Sequence, residues 1–144
     1  MKYLEDSGLS IVKNESAFDR FIERMMFPIH SFSGRVLGVG GRTLQKNNKA
    51  KYVNSPESLI YQKSKILYGI YFAKQHISKQ NNCFIVEGYT DVIPLHQAGV
   101  ENVVSSSGTS LTLEQIKLIN RFTKNITILF DGDAAGLKAS FILL

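Results

Sequence analysis

Two stretches break the ordinary mixing of apolar and polar positions along this chain. Cys83-Phe84-Ile85-Val86 runs into Glu87-Gly88-Tyr89-Thr90-Asp91. Ile126-Thr127-Ile128-Leu129-Phe130 runs into Asp131-Gly132-Asp133. Short apolar runs rich in β-branched residues suit strands covered on both faces, as in a parallel sheet. Between them the period changes. A helix is expected over 91–98, closed by Gly99, with Pro94 tolerable only in its first turn. Val100 to Ser105 reads as a second strand. Thr112 and Gln115 have capping-box spacing and open a helix running to about Phe122. Another helix is expected from Gly136 to Leu144. The order β-α-β-α-β-α predicts an α/β domain with a parallel sheet and right-handed crossovers.

Upstream the pattern is mixed. Phe18, Phe21, Ile22 and Met25 fall at helical spacing, with Ser16 as a candidate N-cap. Met26 to His30 and Arg35 to Arg42 then read as two strands joined at Ser33-Gly34, an antiparallel hairpin. Pro28 puts its strand at an edge or a bulge. Residues 44–63 are polar and predict an ordered loop or a short strand. Leu67, Ile70, Tyr71 and Ile77 mark a helix, with Ser64 as its cap and Gln80-Asn81-Asn82 as its end. The expected organisation is a small mixed α+β part over 1–81, then the parallel-sheet domain over 82–144.

Charge sharpens this division. The net charge is +5, but residues 1–79 hold 13 Lys/Arg against 6 Asp/Glu, and residues 80–144 hold 4 against 6. A basic half beside clustered acids suits a polyanion bound next to a metal ion. A basic surface that only keeps the chain soluble has the same composition. The single Cys83 excludes an internal disulfide and any Cys-rich zinc site, and its place in an apolar run makes it a small buried hydrophobe. No apolar run approaches the length of a membrane span. The first residues do not form a signal peptide. The expected location is therefore the cytoplasm.

Glu87 ends one strand, and Asp91 follows four residues later at the start of a helix. Asp131 and Asp133 are two apart, so an extended backbone points both the same way. Carboxylates at the carboxyl ends of parallel strands sit where open α/β sheets place their ligands. Mg²⁺ takes hard oxygen donors, usually one or two carboxylates plus substrate phosphates. A helix cap accounts for Asp91 alone, and a turn accounts for Asp131-Gly132-Asp133 alone. Glu87 together with both aspartates favours the metal reading. His30, His76 and His96 are scattered and lack metal-ligand spacing. Gly38, Gly40 and Gly41 do not form a dinucleotide fingerprint; close strand packing explains them better.

Phe84-Ile85-Val86-Glu87-Gly88-Tyr89-Thr90-Asp91, Ser107-Gly108-Thr109-Ser110 and Phe130-Asp131-Gly132-Asp133-Ala134-Ala135-Gly136 resemble, in order, the motifs of the Toprim domain of bacterial primases. Arg24-Met25-Met26-Phe27-Pro28-Ile29, Gly38-Val39-Gly40-Gly41-Arg42, Lys51-Tyr52-Val53-Asn54-Ser55-Pro56-Glu57 and Leu67-Tyr68-Gly69 resemble the basic subdomain of DnaG-type primases. The resemblance covers about residues 18–140. It implies a Rossmann-like Toprim domain preceded by a basic subdomain. It also implies a nucleotidyltransferase, a DNA-directed RNA polymerase that makes short RNA primers for replication. The template would be single-stranded DNA, the substrates ribonucleoside triphosphates, and the chemistry two-metal nucleotidyl transfer.

By the same resemblance, Glu87, Asp131 and Asp133 are catalytic and hold Mg²⁺ or Mn²⁺, with Asp91 at or beside the ion. Arg42, Lys51, Asn54 and Lys63 contact nucleotide or template. Arg and Lys at such positions bind phosphate without reading sequence. Tyr52 stacks on a base or packs in the core. Zinc, and contact with a replicative helicase, belong to regions absent from this chain. The chain departs from the family pattern in three ways. It ends before a third acidic motif, it starts part-way into the basic subdomain, and it has Gln62-Lys63-Ser64 where His-Lys-Gly is common. A fragment of the catalytic core, impaired alone, is expected. Another Toprim enzyme, such as a topoisomerase or nuclease, and a non-catalytic nucleic-acid-binding module are the alternatives.

Overall fold

The computed structural model describes residues 2–108 and 110–130. Its chain forms two compact units. The first comprises residues 1–29 and 36–62, and the second comprises 30–35 and 63–144.

The first unit opens with a short helix α1 (Lys2–Asp6) and an antiparallel pair, β1 (Ser10–Lys13) with β2 (Ser16–Asp19). The helix expected from Phe18 to Met25 does not form. Lys13 pairs with Ser16, leaving Asn14 and Glu15 as a two-residue turn with φ of 48° and 64°. Two successive left-handed residues make the tight turn whose twist matches paired strands. Glu23, at φ 53°, turns the chain again into β3 (Arg24–His30). Ile22 and Met25 are mostly exposed rather than forming a buried stripe. The next strands are β4 (Val36–Thr43) and β5 (Tyr52–Asn54), in the order β3-β4-β5. Pro28 therefore lies on an edge strand, as expected. Gly41 is required by close packing: a Cβ there would lie 2.7 Å from the Phe21 ring.

In the second unit, Ser31 to Gly34 forms the turn between β3 and β4, closed by Gly34 N donating to Ser31 O. A 3₁₀ turn follows at Lys63–Lys65, and α2 spans Ile70–Gln80. The expected helix thus starts later, behind Gly69 rather than Ser64. Gly69 sits at φ +86°, and any Cβ there would crowd Val92 and the Val103 carbonyl. The buried face of α2 is Ile70, Ala73 and Ile77; Tyr71 points outward against Gly34 and His30. Asn81, left-handed at φ 49°, closes the helix.

Three strands follow with helices between them: β6 (Cys83–Val86), α3 (Tyr89–Gln97), β7 (Val103–Ser105), α4 (Leu113–Ile119) and β8 (Ile126–Ile128). All pairings are parallel, and β6 lies in the middle of β7-β6-β8. The α/β expectation holds. The alternation of β6 divides the core. Cys83 and Ile85 pack with Val104, with Leu67, Ile70, Ala73 and Ile77, and with Ile119 of α4. Phe84 and Val86 face the other way, with Val103 and with Val92 and Leu95 of α3. So α3 covers one face and α2 with α4 the other, which explains why the strand reads as an unbroken apolar run.

Several boundaries differ from expectation: α3 begins at Tyr89 rather than 91, β7 begins at Val103 rather than Val100, and β8 ends at Ile128 rather than Phe130. Pro94 is the sixth residue of α3, beyond the first turn. An interior proline removes one helical hydrogen bond at a cost of about 3 kcal/mol. Burial of Tyr89 and Val92 holds the helix against that cost. Helix α4 stops at Ile119, short of Phe122. The helix expected over Gly136–Leu144 lies outside the described residues. Among the described residues, no helix is long and apolar enough to cross a membrane.

Candidate active site

Glu87 is the first residue after the central strand, at its carboxyl end. Its carbonyl is held twice, from the end of the neighbouring strand and from the loop after it: Ser105 Oγ donates at 2.9 Å and Gly108 N at 3.2 Å. Ser105 Oγ also accepts from Ser107 N at 2.8 Å, which holds Ser107 in a left-handed conformation at φ 58°. Ser105 is fully buried, and its backbone exchanges two further hydrogen bonds with Tyr68. The strand end that carries Glu87 is thus fixed by a saturated polar cluster. Such a cluster orders its members because any unmade bond there is costly.

Asp91 is the third residue of α3, and its Oδ2 accepts from Gly88 N at 2.9 Å. Gly88 has no side chain, so Asp91 supplies only the reciprocal half of a capping box. The cap reading of Asp91 is therefore correct, and it leaves Asp91 exposed within four residues of Glu87. Asp131 and Asp133 lie outside the described residues. Among the described residues, no three His, Cys, Asp or Glu side chains gather as a metal site. The donors that are described, two carboxylates, fit a hard oxygen-seeking divalent ion and not a thiolate-bound one. Cys83 offers no thiolate, because burial pushes its thiol up to about 12.

In the first unit the register decides which basic residues meet. Gly40 is opposite Asn54 and Arg42 opposite Tyr52. Opposed residues of an antiparallel pair share a face, so Arg42, Tyr52 and Asn54 line one face of β4–β5. Arg42 and Tyr52 are exposed. The Oδ1 of Asn54 is buried with no hydrogen-bond partner among the described residues. Lys51 is exposed just before β5, and its carbonyl accepts from Thr43 N at 2.9 Å. Lys63 lies in the 3₁₀ turn of the second unit and is partly buried.

Three residues are more prominent in the structure than the sequence suggested. Arg24 Nη1 donates to the carbonyls of Ala50 (2.9 Å), Lys51 (3.3 Å) and Gly41 (3.4 Å), tying the ends of the 44–51 loop to the sheet. Ser105 holds Glu87. Gln115, read only as half of a cap, also reaches Lys63 and Ile66. The cap spacing showed Gln115, but nothing in the sequence showed its long-range bonds. The histidines are dispersed: His76 Nδ1 meets Glu101 at 3.0 Å, and His30 packs on Tyr71 and Phe72.

Residues 1–74 match the family model described as DNA primase catalytic core, N-terminal domain. Residues 84–144 match a Toprim-like model. A DNA primase of Halalkalibacterium halodurans is 48% identical over 144 residues, covering 98% of this chain and 24% of that protein. The structure of the Escherichia coli primase catalytic core superposes with a TM-score of 0.89 at 43% identity, covering 99% of this chain and 45% of that one. A DnaG primase catalytic domain bound to single-stranded DNA superposes with a TM-score of 0.88 at 45% identity, covering 99% and 44%. The chain spans 20–24% of the length of the curated relatives it matches. Matched through both its basic N-terminal part and its parallel-sheet part, the chain belongs to the bacterial DNA primase catalytic-core family.

Proposed function

We propose that this chain carries the metal-binding strand end and part of the nucleic-acid-binding surface of a DNA primase, a DNA-directed RNA polymerase. The observation that carries the reading is Glu87. It sits at the carboxyl end of the central strand of an all-parallel sheet, with its carbonyl fixed by Ser105 and Gly108. Open α/β sheets bind ligands at this edge. Strand β8 runs beside β6 in parallel, with Ile128 opposite Ile85, and Asp131 follows three residues later in sequence. Glu87, Asp131 and Asp133 are the proposed ligands of Mg²⁺ or Mn²⁺, with Asp91 at or beside the ion. When bound, such ions activate the attacking hydroxyl and neutralise charge on the phosphate and the leaving group.

The chain's own part is to hold and orient. The backbone of Glu87 is held at its carbonyl by Ser105 Oγ and Gly108 N, which fixes the point on the strand end from which its carboxylate extends. Arg42, Lys51 and Lys63 place cations for triphosphate or template phosphate. Asn54 brings a buried acceptor that can take a hydrogen bond from a nucleotide. The proposed partners are single-stranded DNA template, ribonucleoside triphosphates and the nascent RNA primer. The DNA-bound relative supports the first of these. Zinc and the replicative helicase are assigned to regions outside these residues, and the location to the cytoplasm. The division into 1–81 and 82–144 belongs to the same reading. The match of residues 1–74 to a primase model favours primase over other Toprim enzymes.

The test is Glu87→Gln in the full-length protein. Primer synthesis is expected to fall at least about 100-fold, beyond the typical effect of residues that only support a metal ligand. Single-stranded DNA binding is expected to stay within twofold to threefold of wild type. Primer synthesis that persists in this variant refutes the assignment of Glu87.

A further inference from the structure

We propose that Gln115 is the positioning residue for Lys63, setting where that ammonium meets phosphate; this rests on the reading of Lys63 given above. Gln115 is fully buried on α4. Its Oε1 accepts from Thr112 N at 3.0 Å, and Thr112 Oγ1 accepts from Gln115 N at 3.2 Å. Those two bonds complete the helix cap. The cap leaves the amide nitrogen unused, and both of its hydrogens go elsewhere. Nε2 donates to Lys63 O at 3.1 Å and to Ile66 O at 2.8 Å, across 52 and 49 residues of sequence. Thr112 Oγ1 adds a third tie to the same turn, donating to Ser64 O at 2.5 Å.

Three of the four carbonyls from Lys63 to Ile66 are therefore held from one end of α4. The 3₁₀ turn Lys63–Lys65 contains no buried residue of its own. Side-chain packing within the turn does not fix it; these polar ties do. A buried amide whose donors are satisfied only by this turn penalises any displacement, because movement leaves a buried donor unpaired. A helix cap alone needs no long-range contact. The surplus bonds make sense if the placement of the turn matters, and Lys63 is its first residue.

The test uses the full-length protein as Lys63→Ala, Gln115→Leu and the double variant. Two readouts separate the possible sources of phosphate. The KM for ribonucleoside triphosphate in primer synthesis reports the nucleotide. The slope of log affinity against log salt for single-stranded DNA reports the template. Lys63→Ala is expected to raise KM about tenfold, or to reduce the slope by about 0.7. Gln115→Leu is expected to move the same readout in the same direction with kcat within twofold, and the double variant to add less than twofold to Lys63→Ala. If Lys63→Ala moves a readout and Gln115→Leu lowers only the melting temperature, the positioning role is wrong and the Lys63 assignment stands. If Lys63→Ala moves neither, the assignment fails and the inference with it. Should Gln115→Leu not fold, Thr112→Val replaces it. A shift in the Lys63 readout supports the inference, and wild-type values overturn it.

Discussion

The sheets β3-β4-β5 and β7-β6-β8 have three strands each, yet they position their candidate residues by opposite means. The second sheet is covered on both faces. Its unit holds the buried apolar residues Leu67, Ile70, Ala73, Ile77, Cys83, Ile85, Val86, Tyr89, Val92, Val103, Val104 and Ile119. In the first unit the described buried apolar side chains are Phe27, Ile29 and Tyr61. Glu87 follows the central strand of the covered sheet, and hydrogen bonds from Ser105 Oγ and Gly108 N hold its backbone carbonyl. Arg42 and Tyr52 stand on an exposed strand pair, and only the register aligns them. A group proposed to hold an ion within tenths of an ångström suits the first arrangement. Groups that meet a flexible polyanion can stay exposed, because phosphate contacts tolerate adjustment.

Core substitutions give the largest contrast in stability. Ile85→Ala deletes a fully buried side chain from the centre of β6. Its expected cost is about 2–5 kcal/mol. Phe18→Ala on β2 removes a larger side chain that is 55% exposed, and should cost under about 1 kcal/mol. Urea unfolding of both variants checks this. Equal costs would show that burial does not distinguish the units.

Ser105→Ala probes the polar cluster rather than the apolar core. It deletes the bond to the Glu87 carbonyl and strands Ser107 N. The expected loss is about 1–3 kcal/mol of stability. If Glu87 holds the ion as proposed, Ser105→Ala should also raise the Mg²⁺ concentration needed for half-maximal primer synthesis by the full-length protein, by about 10-fold or more. A stability loss with no change in metal requirement would separate Ser105 from the acid.

How far these features were legible in the sequence follows the same divide. The parallel sheet was visible because a strand covered on both faces is continuously apolar, as Cys83–Val86 is, and because Ile126–Phe130 is apolar apart from Thr127. The Thr112–Gln115 cap was visible because it is local. The β1–β2 hairpin was not: Phe18, Phe21, Ile22 and Met25 carry a helical period by coincidence, and the deciding fact is the backbone at Asn14 and Glu15. Asn-Glu is a weak turn signal beside Asn-Gly. Pro94 was misplaced because packing of Val92 overrides a local penalty. The long-range ties of Ser105 and Gln115 leave no mark in sequence spacing. The candidate carboxylates were legible as residues, while their support was not.

Alkaline pH separates the units more gently. Burial raises the Cys83 thiol from 9.0 to about 12. In the first unit, burial and then the nearby Glu57 charge raise the Tyr61 hydroxyl from 10.0 to about 12. The folded state binds each proton more tightly than the unfolded chain does. The stability that each contributes is therefore complete below its ordinary value and is lost as pH rises towards 12. The Cys83 loss begins near pH 9 and the Tyr61 loss near pH 10. Relative to Cys83→Val, the wild type should lose about 1 kcal/mol between pH 8 and pH 10. Urea midpoints at pH 8, 9 and 10 measure the difference. A constant difference across that range would mean that the thiol titrates normally.

The smallest expected effect tests the exposed face. Arg42→Ala removes a cation on the strand pair without touching a core residue. If Arg42 neutralises one phosphate of single-stranded DNA, the salt slope should fall by about 0.7. Asn54→Ala carries no charge change and should leave the slope unaltered, even if affinity drops. Arg24→Ala is the internal control. It is also a cation of this unit, but its guanidinium is engaged by the carbonyls of Gly41, Ala50 and Lys51. Its loss should loosen the 44–51 loop and lower the melting temperature while the slope changes less than for Arg42. If Arg24 and Arg42 alter the slope equally, net charge alone governs binding, and the shared face of Arg42, Tyr52 and Asn54 has no special part in it.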